Sequence, residues 1–343
     1  MPVPTPAHHG DPALVARLTA AGCIGAGARQ RALRGGVSSD VILVEDDDGR
    51  QVVVKRALAR LRVADEWLAD TGRNAYEQAW LSLAATLAPA NIPRIVFAAP
   101  EEGWFAMEYL GEGWITWKQS LLIGAAEPLY ALEAGAALGR IHCATWNDHS
   151  VAATFDTLRN FTELRIDPYF NTSAKRLPDL APWLQRISEQ LASQRLALVH
   201  GDFSPKNLMI QSGRLIILDA EVAWFGDPAF DVAFLIHHLL LKALHHRGHD
   251  RVSDLLALTP TFWRSYADQL PNAEARTMEN RVIEITLALL LARVHGKSPV
   301  DYLDEAGRRT VTSFVRTHAP SPPGSIPDLA KWWGMVFPEP CPP

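Results

Sequence analysis

The sequence predicts an α+β chain of two lobes, a small antiparallel sheet first and a larger, mainly helical lobe after it. Three observations carry this. In the first third, short apolar runs flank turn residues: 41–45 and 51–55 enclose Asp46-Asp47-Asp48-Gly49, and 94–98 and 104–109 enclose Pro100-Glu101-Glu102-Gly103. That is the pattern of hairpins. Beyond it, long segments repeat apolar residues at helical spacing, at 128–143, 230–244, 259–269, 278–294 and 305–317. At 343 residues the chain is also long enough to divide into two cores.

Composition narrows the function classes. A net charge of −5, with no Lys/Arg run, argues against a general nucleic-acid partner. The most apolar stretches, 232–244 and 285–294, are too short or too interrupted by His, Lys and Arg to span a membrane. Cys23, Cys143 and Cys341 lie far apart and odd in number, which fits a reducing compartment rather than a disulfide framework. The first residues lack a basic-then-apolar leader pattern, so the expected location is cytoplasmic.

In chain order, a frayed, Pro-rich start leads to a short helix at 12–21. The segment Gly35-Gly36-Val37-Ser38-Ser39 enters the first hairpin. Glycines there let backbone N–H groups approach a phosphate, although an ordinary turn reads the same way. Lys55 ends an apolar strand, where it can serve a phosphate or simply snorkel. A helix at 74–87 carries Glu77 in its first turns, and 57–73 also reads as helical and carries Glu66.

The densest stretch is 198–233. Buried strands at 196–199, 208–210 and 215–218, the last two joined by a turn at 211–213, place His200, Asp202, Asn207, Asp219 and Glu221 at strand ends and in a loop. Asp202 and Asn207 are five apart, and Asp219 follows a strand. Phosphoryl transfer from a nucleotide needs this inventory: an Asp for the attacking hydroxyl, and an Asn and an Asp for magnesium. Magnesium takes oxygen ligands and keeps several waters, so one or two carboxylates and an amide suffice.

His200-Gly201-Asp202-(four residues)-Asn207, then Asp219-Ala220-Glu221, then Gly226-Asp227-Pro228-Ala229-Phe230-Asp231, resembles the aminoglycoside phosphotransferase/choline kinase-like family. These are small-molecule kinases with a protein-kinase-like fold. The resemblance spans roughly 30–245. It implies a nucleotide-binding lobe over 1–107, a hinge over 108–113, and a second lobe over 114–343 with the catalytic loop, metal site and substrate pocket. It implies ATP and Mg²⁺, with Asp202 as the catalytic residue and Asn207, Asp219 and, two residues on, Glu221 at the metal. Lys55 would meet the phosphates, steadied by Glu77. Gly35, Gly36, Ser38 and Ser39 would lie over the phosphates, and the backbone of Glu108 and Leu110 would meet the adenine. His200 and Asp231 would support the catalytic loop.

The expected partner is a small hydroxylated molecule: an aminoglycoside, an amino alcohol or a sugar-like compound. Trp114, Arg293 and Lys297 are candidate substrate residues. Trp114 reads equally as lobe packing, and Arg293 and Lys297 as partners of a helix C-terminus. A catalytically silent nucleotide or metabolite binder on the same fold is the alternative. Ser204 stands where protein kinases carry a catalytic-loop Lys, and no Asp-Phe-Gly follows. Both departures point away from protein substrates.

Overall fold

A computed structural model describes residues 11–33, 39–57 and 72–337. The chain divides into two compact units, residues 1–86 with 92–112, and residues 87–91 with 113–343.

The first unit begins with α1 (Pro12–Ala20). Asp11 caps it by accepting the N–H groups of Ala13 and Leu14, and Pro12 occupies the first turn, where no N–H is needed. Strands β1 (Arg29–Ala32), β2 (Ser39–Glu45) and β3 (Gln51–Ala57) precede α2 (Arg73–Leu87). Strands β4 (Ile95–Ala99) and β5 (Trp104–Glu108) follow it. The five strands make one antiparallel sheet in the order β1-β2-β3-β5-β4. Strand β1, Arg-Gln-Arg-Ala, has no apolar pattern to announce it; it is a polar edge strand, paired only with β2.

Alternation along the strands decides what each face does. Ile42, Val44, Val52 and Val54 form a core with Leu14 and Leu18 of α1 and with Trp104. Val53 and Lys55 therefore point to the opposite face. Glu66 and the proposed helical reading of 57–73 fall largely outside the described residues, as do Gly35, Gly36 and Ser38.

In the second unit, β6 (Ile115–Thr116) leads into α3 (Trp117–Leu122), then α4 (Pro128–Ala144), α5 (His149–Thr154) and α6 (Leu158–Phe161). Helix α6 runs on into a π-helical segment, Thr162–Asn171, which contains Pro168, and then into α7 (Thr172–Arg176). Next come α8 (Ala181–Ser193), β7 (Ala197–Val199), β8 (Leu208–Gln211), β9 (Arg214–Ile217) and β10 (Trp224–Gly226). Strands β6, β8 and β9 form one small sheet, and β7 pairs with β10. The β8–β9 turn is Ser212-Gly213, both with positive φ, as a tight hairpin demands.

Five helices complete the unit: α9 (Ala229–His245), α10 (Val252–Ala267), α11 (Asn272–His295), α12 (Glu305–His318) and α13 (Ile326–Met335). Helix α9 is buried along nearly its whole length. Helix α4 lies against α10 at Gly135 and Gly139, where a Cβ would come within 2.5 Å of Phe262 O and 2.7 Å of Gln269 Cγ, respectively.

Two expectations shift. Helix α10 begins at Val252, well before 259, and continues through Pro260. The Pro-rich end from Pro320, which reads from its sequence as peripheral, is packed: α13 buries Ile326, Leu329 and Trp333, and Trp333 Nε1 donates to Leu240 O at 2.9 Å. Pro327 sits in the first turn of this helix, a position that tolerates it.

Candidate active site

The loop between β7 and β8 is held from below by the start of α9. Asp231, fully buried, accepts the backbone N–H of His200 at 2.6 Å through Oδ2 and that of Gly201 at 2.9 Å through Oδ1. His142 Nε2 lies 3.3 Å from the same Oδ2, and His142 Nδ1 lies 2.9 Å from Tyr266 Oη. Gly201 has φ +76°, and a Cβ there would come within 2.3 Å of Val222 O, so the position admits only glycine.

His200 accepts the Asp202 N–H on Nδ1 and therefore carries its proton on Nε2, which donates to Leu218 O at 3.1 Å. A carbonyl can only accept and an amide N–H can only donate, so this pair of bonds fixes the neutral tautomer. Burial pushes the imidazole pKa down in the same sense, against the pull of Asp231 and Asp202. His200 thus braces the loop with both ring nitrogens engaged.

Asp202 is 4 % exposed. Three donors converge on its Oδ2: Lys206 Nζ at 2.9 Å, Asn207 Nδ2 at 3.0 Å and Arg165 at 3.2 Å. Burial alone would raise its pKa. Lys206 and Arg165 overcome that and hold it below the usual carboxylate value, so the group is ionised at neutral pH. None of the three donors uses Oδ1, and among the described residues no hydrogen bond reaches that oxygen. The carboxylate is anchored by one oxygen and presents the other.

Asn207 donates from the same Nδ2 to Asp202 O at 2.9 Å, while its backbone O accepts from Leu218 N at 2.9 Å. Its amide is thereby oriented, with Oδ1 left to accept or to ligate. Asp219 follows β9 with φ +71°, an uncommon conformation for a non-glycine residue. Its charge is felt by Asp202, Lys206, Arg165 and His200. Glu221 is fixed through its carbonyl, which accepts from Asn160 Nδ2 at 2.9 Å, and its charge reaches Arg165. Among the described residues no group of three or more His, Cys, Asp or Glu side chains is gathered as a metal cluster. The Asn207 amide oxygen and the Asp219 and Glu221 carboxylates are oxygen donors of the kind Mg²⁺ takes beside phosphate oxygens and water.

In the first unit, Lys55 Nζ lies 2.7 Å from Glu77 Oε1, with both side chains buried. Ser39 opens β2 and is buried opposite Ala57. Glu108 closes β5, its N–H donating to Arg94 O at 2.9 Å. Leu110 follows, half-buried, ahead of Gly111 and Gly113 with φ +91° and +88°.

Trp114 stacks under Arg214, whose guanidinium lies 5.4 Å from the ring centre. Lys297 is exposed, and its backbone N–H donates to Pro168 O. Arg293 donates to Tyr169 Oη and Ser298 Oγ, both at 3.1 Å. Asp304 and Glu305, acidic residues that a cationic substrate would want, are spent elsewhere: Asp304 caps α12 and pairs with Arg247, and Glu305 pairs with Arg309.

Arg165 is a residue the sequence reading did not find. It sits in the π-helical segment, donating to Gly201 O at 2.6 Å and Leu164 O at 2.7 Å besides pairing with Asp202. Its one sequence signal is a cation enclosed by Leu164 and Ile166 in a stretch rich in aromatics.

Comparison with known proteins places this geometry. The model of the phosphotransferase enzyme family matches residues 29–252. The chain belongs to that family. Among curated relatives it is 26 % identical over 229 residues to methylthioribose kinase of Pectobacterium atrosepticum, covering 59 % of this chain and 57 % of the relative. It is 28 % identical over 233 residues to that of Citrobacter koseri, covering 60 % and 58 %. The chain thus spans less than two thirds of the length of these relatives.

Among solved structures, an ethanolamine kinase of Plasmodium vivax superposes with a TM-score of 0.51 at 12 % identity, covering 84 % of this chain and 82 % of that one. An amicoumacin kinase superposes with a TM-score of 0.51 at 13 % identity, covering 92 % and 95 %. The fold is the α+β, protein-kinase-like fold of these enzymes.

Proposed function

We propose that the chain transfers the γ-phosphate of ATP to a hydroxyl of a small molecule. The observation that carries the reading is the half-anchored Asp202, with three donors on Oδ2 and Oδ1 left for an incoming hydroxyl. Lys206 and Arg165 keep this carboxylate weakly basic, so its main work is to orient the hydroxyl and accept its proton late. That is sufficient in a reaction whose transition state is loose and whose catalysis rests on position and charge.

Lys55, steadied by Glu77, would hold the nucleotide phosphates, and the carbonyl of Glu108 and the N–H of Leu110 would meet the adenine edge in the connector over 108–113. Asn207 through Oδ1, Asp219 and Glu221 are the residues that would hold Mg²⁺, which when bound supplies neutralisation of phosphate charge. Lys206, beside Asp202, adds positive charge where the phosphoryl group passes.

The test is ADP release with Mg-ATP across aminoglycosides, amino alcohols, sugars and hydroxy acids, with Asp202→Ala alongside. Turnover should fall by about 10²–10⁴-fold in the variant while ATP binding persists. Undiminished turnover would remove Asp202 from the chemistry.

A further inference from the structure

Next to the Asp202 cluster the second unit holds cations that, among the described residues, form no ion pair with a carboxylate. Lys242, on α9, is 1 % exposed. Its ammonium donates to Tyr302 Oη at 2.8 Å and lies 4.2 Å from that ring's centre. Among the described residues no carboxylate pairs with it. Among the described residues Arg293, on α11, bonds only the neutral Tyr169 Oη and Ser298 Oγ, and its Nε is buried with no partner. Lys118, on α3, and Arg293 both oppose the charge of Lys242, and the exposed Asp301 offsets them least.

Two histidines of α9 join the group. His237 donates from Nδ1 to Ala233 O, which leaves Nε2 as an unpartnered acceptor in a fully buried side chain. His238 has an unpartnered Nδ1. Both are kept neutral by burial and by the neighbouring Lys242 and Arg293.

This cluster is tied to the catalytic carboxylate through one ring. Arg165, which pairs with Asp202, lies 5.8 Å from the centre of the Tyr169 ring, and so does Arg293. Arg293, His238, Tyr302 and Lys118 are only half-buried, which gives a ligand an approach. Buried cations facing only neutral oxygens are costly unless an anion completes them.

We propose that Lys242 and Arg293 form a receptor for an anionic group on the acceptor, so that the substrate is a hydroxylated carboxylic or phosphoric acid rather than an amine or a neutral sugar. The anion sits at the two cations, the hydroxyl to be phosphorylated reaches Asp202 Oδ1, and a further O–H or N–H of the ligand donates to His237 Nε2. The acceptor class rests on the phosphotransfer reading; the anion site does not.

The two are separated by experiment. Inorganic phosphate and glycerate are titrated calorimetrically into the full chain without nucleotide, beside glycerol and choline, for the wild type, Lys242→Met and Arg293→Gln. Saturable binding of both anions, weakened at least tenfold in each variant and absent for glycerol and choline, is expected. No anion binding by the wild type, or binding unchanged in the variants, overturns the site. Arg293→Gln, at a half-buried position, carries the test alone if Lys242→Met does not fold.

ADP release is then compared for acids and their uncharged counterparts, such as glycerate with glycerol. At least tenfold higher kcat/KM for the acid is expected. Anion binding without phosphorylation of any acceptor keeps the site and removes the phosphotransfer reading. Turnover of amines or neutral sugars, with none of acids, keeps phosphotransfer and overturns the anionic acceptor.

Discussion

Two buried lysines in this chain have opposite electrostatic surroundings. Lys55, in the first unit, places its ammonium 2.7 Å from the Glu77 carboxylate. Lys242, in the second, places its ammonium 2.8 Å from a phenol oxygen. The geometry is almost the same and the charge balance is not. A lysine neutralised from within is held at one position by its own fold, as its proposed role at the phosphates requires. A lysine left positive among Lys118, Arg293 and two neutral histidines stores an unmet demand for negative charge. The contrast separates a side chain positioned by the fold from one completed by a ligand.

The largest effect tests the first half of the contrast. Glu77→Ala removes a buried partner of Lys55, and breaking one side of a buried pair costs about 3–5 kcal/mol. Chemical denaturation should show a loss of that order, and ATP affinity should fall with it. A loss near zero would mean that Lys55 is solvated and that Glu77 does not position it.

Next in size is the reverse substitution. Lys242→Met keeps the volume and removes the uncompensated charge, so stability in anion-free buffer should stay level or rise by about 1–4 kcal/mol. The effect has a pH signature. Burial, then Lys118 and Arg293, lower the Lys242 pKa to about 7 in the folded chain, against about 10.4 when unfolded. Below about pH 7 both states are charged, and the folded state bears the full cost. Between about pH 7 and pH 10 the unfolded chain retains a proton that the folded chain has released, so wild-type stability rises with pH, by up to about 1.4 kcal/mol per unit. The advantage of Lys242→Met should therefore be greatest at pH 6 and shrink toward pH 10. An advantage that does not change with pH would show that Lys242 holds its proton equally in the folded and the unfolded chain, so that burial does not penalise its charge.

What could be read from the sequence follows the same division. Asp202, Asn207 and Asp219 lie within one strand–loop–strand segment, where spacing placed them at a strand end and in the loop, and the family resemblance added Asp231 as a support of that loop. Lys55 was legible as the end of an apolar strand and Glu77 as a residue near the start of the next helix, and the family resemblance joined the two. Arg165, His237 and Lys242 were not. A cation in an apolar helix reads as one whose stem packs and whose head reaches water. Only the contacts of α9 with α11 and of the π-helical segment with the catalytic loop reveal that these groups are enclosed and, for Lys242, unpaired. Strand β1 and helix α13 escaped for a simpler reason: one is a polar edge, and the other is masked by prolines that its first turn accommodates.

The smallest expected effect isolates the hydrogen bond of Lys242 to Tyr302. Tyr302→Phe keeps the ring under the ammonium and deletes the hydroxyl. A hydrogen bond to a charged group is worth about 1.5–3 kcal/mol, so the variant should lose about that much near pH 6. The loss should shrink above about pH 8, where the amine is neutral and the bond is an ordinary one. Anion affinity should change little, because the ligand and not the phenol supplies the missing charge. If Tyr302→Phe instead abolished phosphate binding while Lys242→Met spared it, the receptor would be the hydroxyl, and the two lysines would differ in degree rather than in kind.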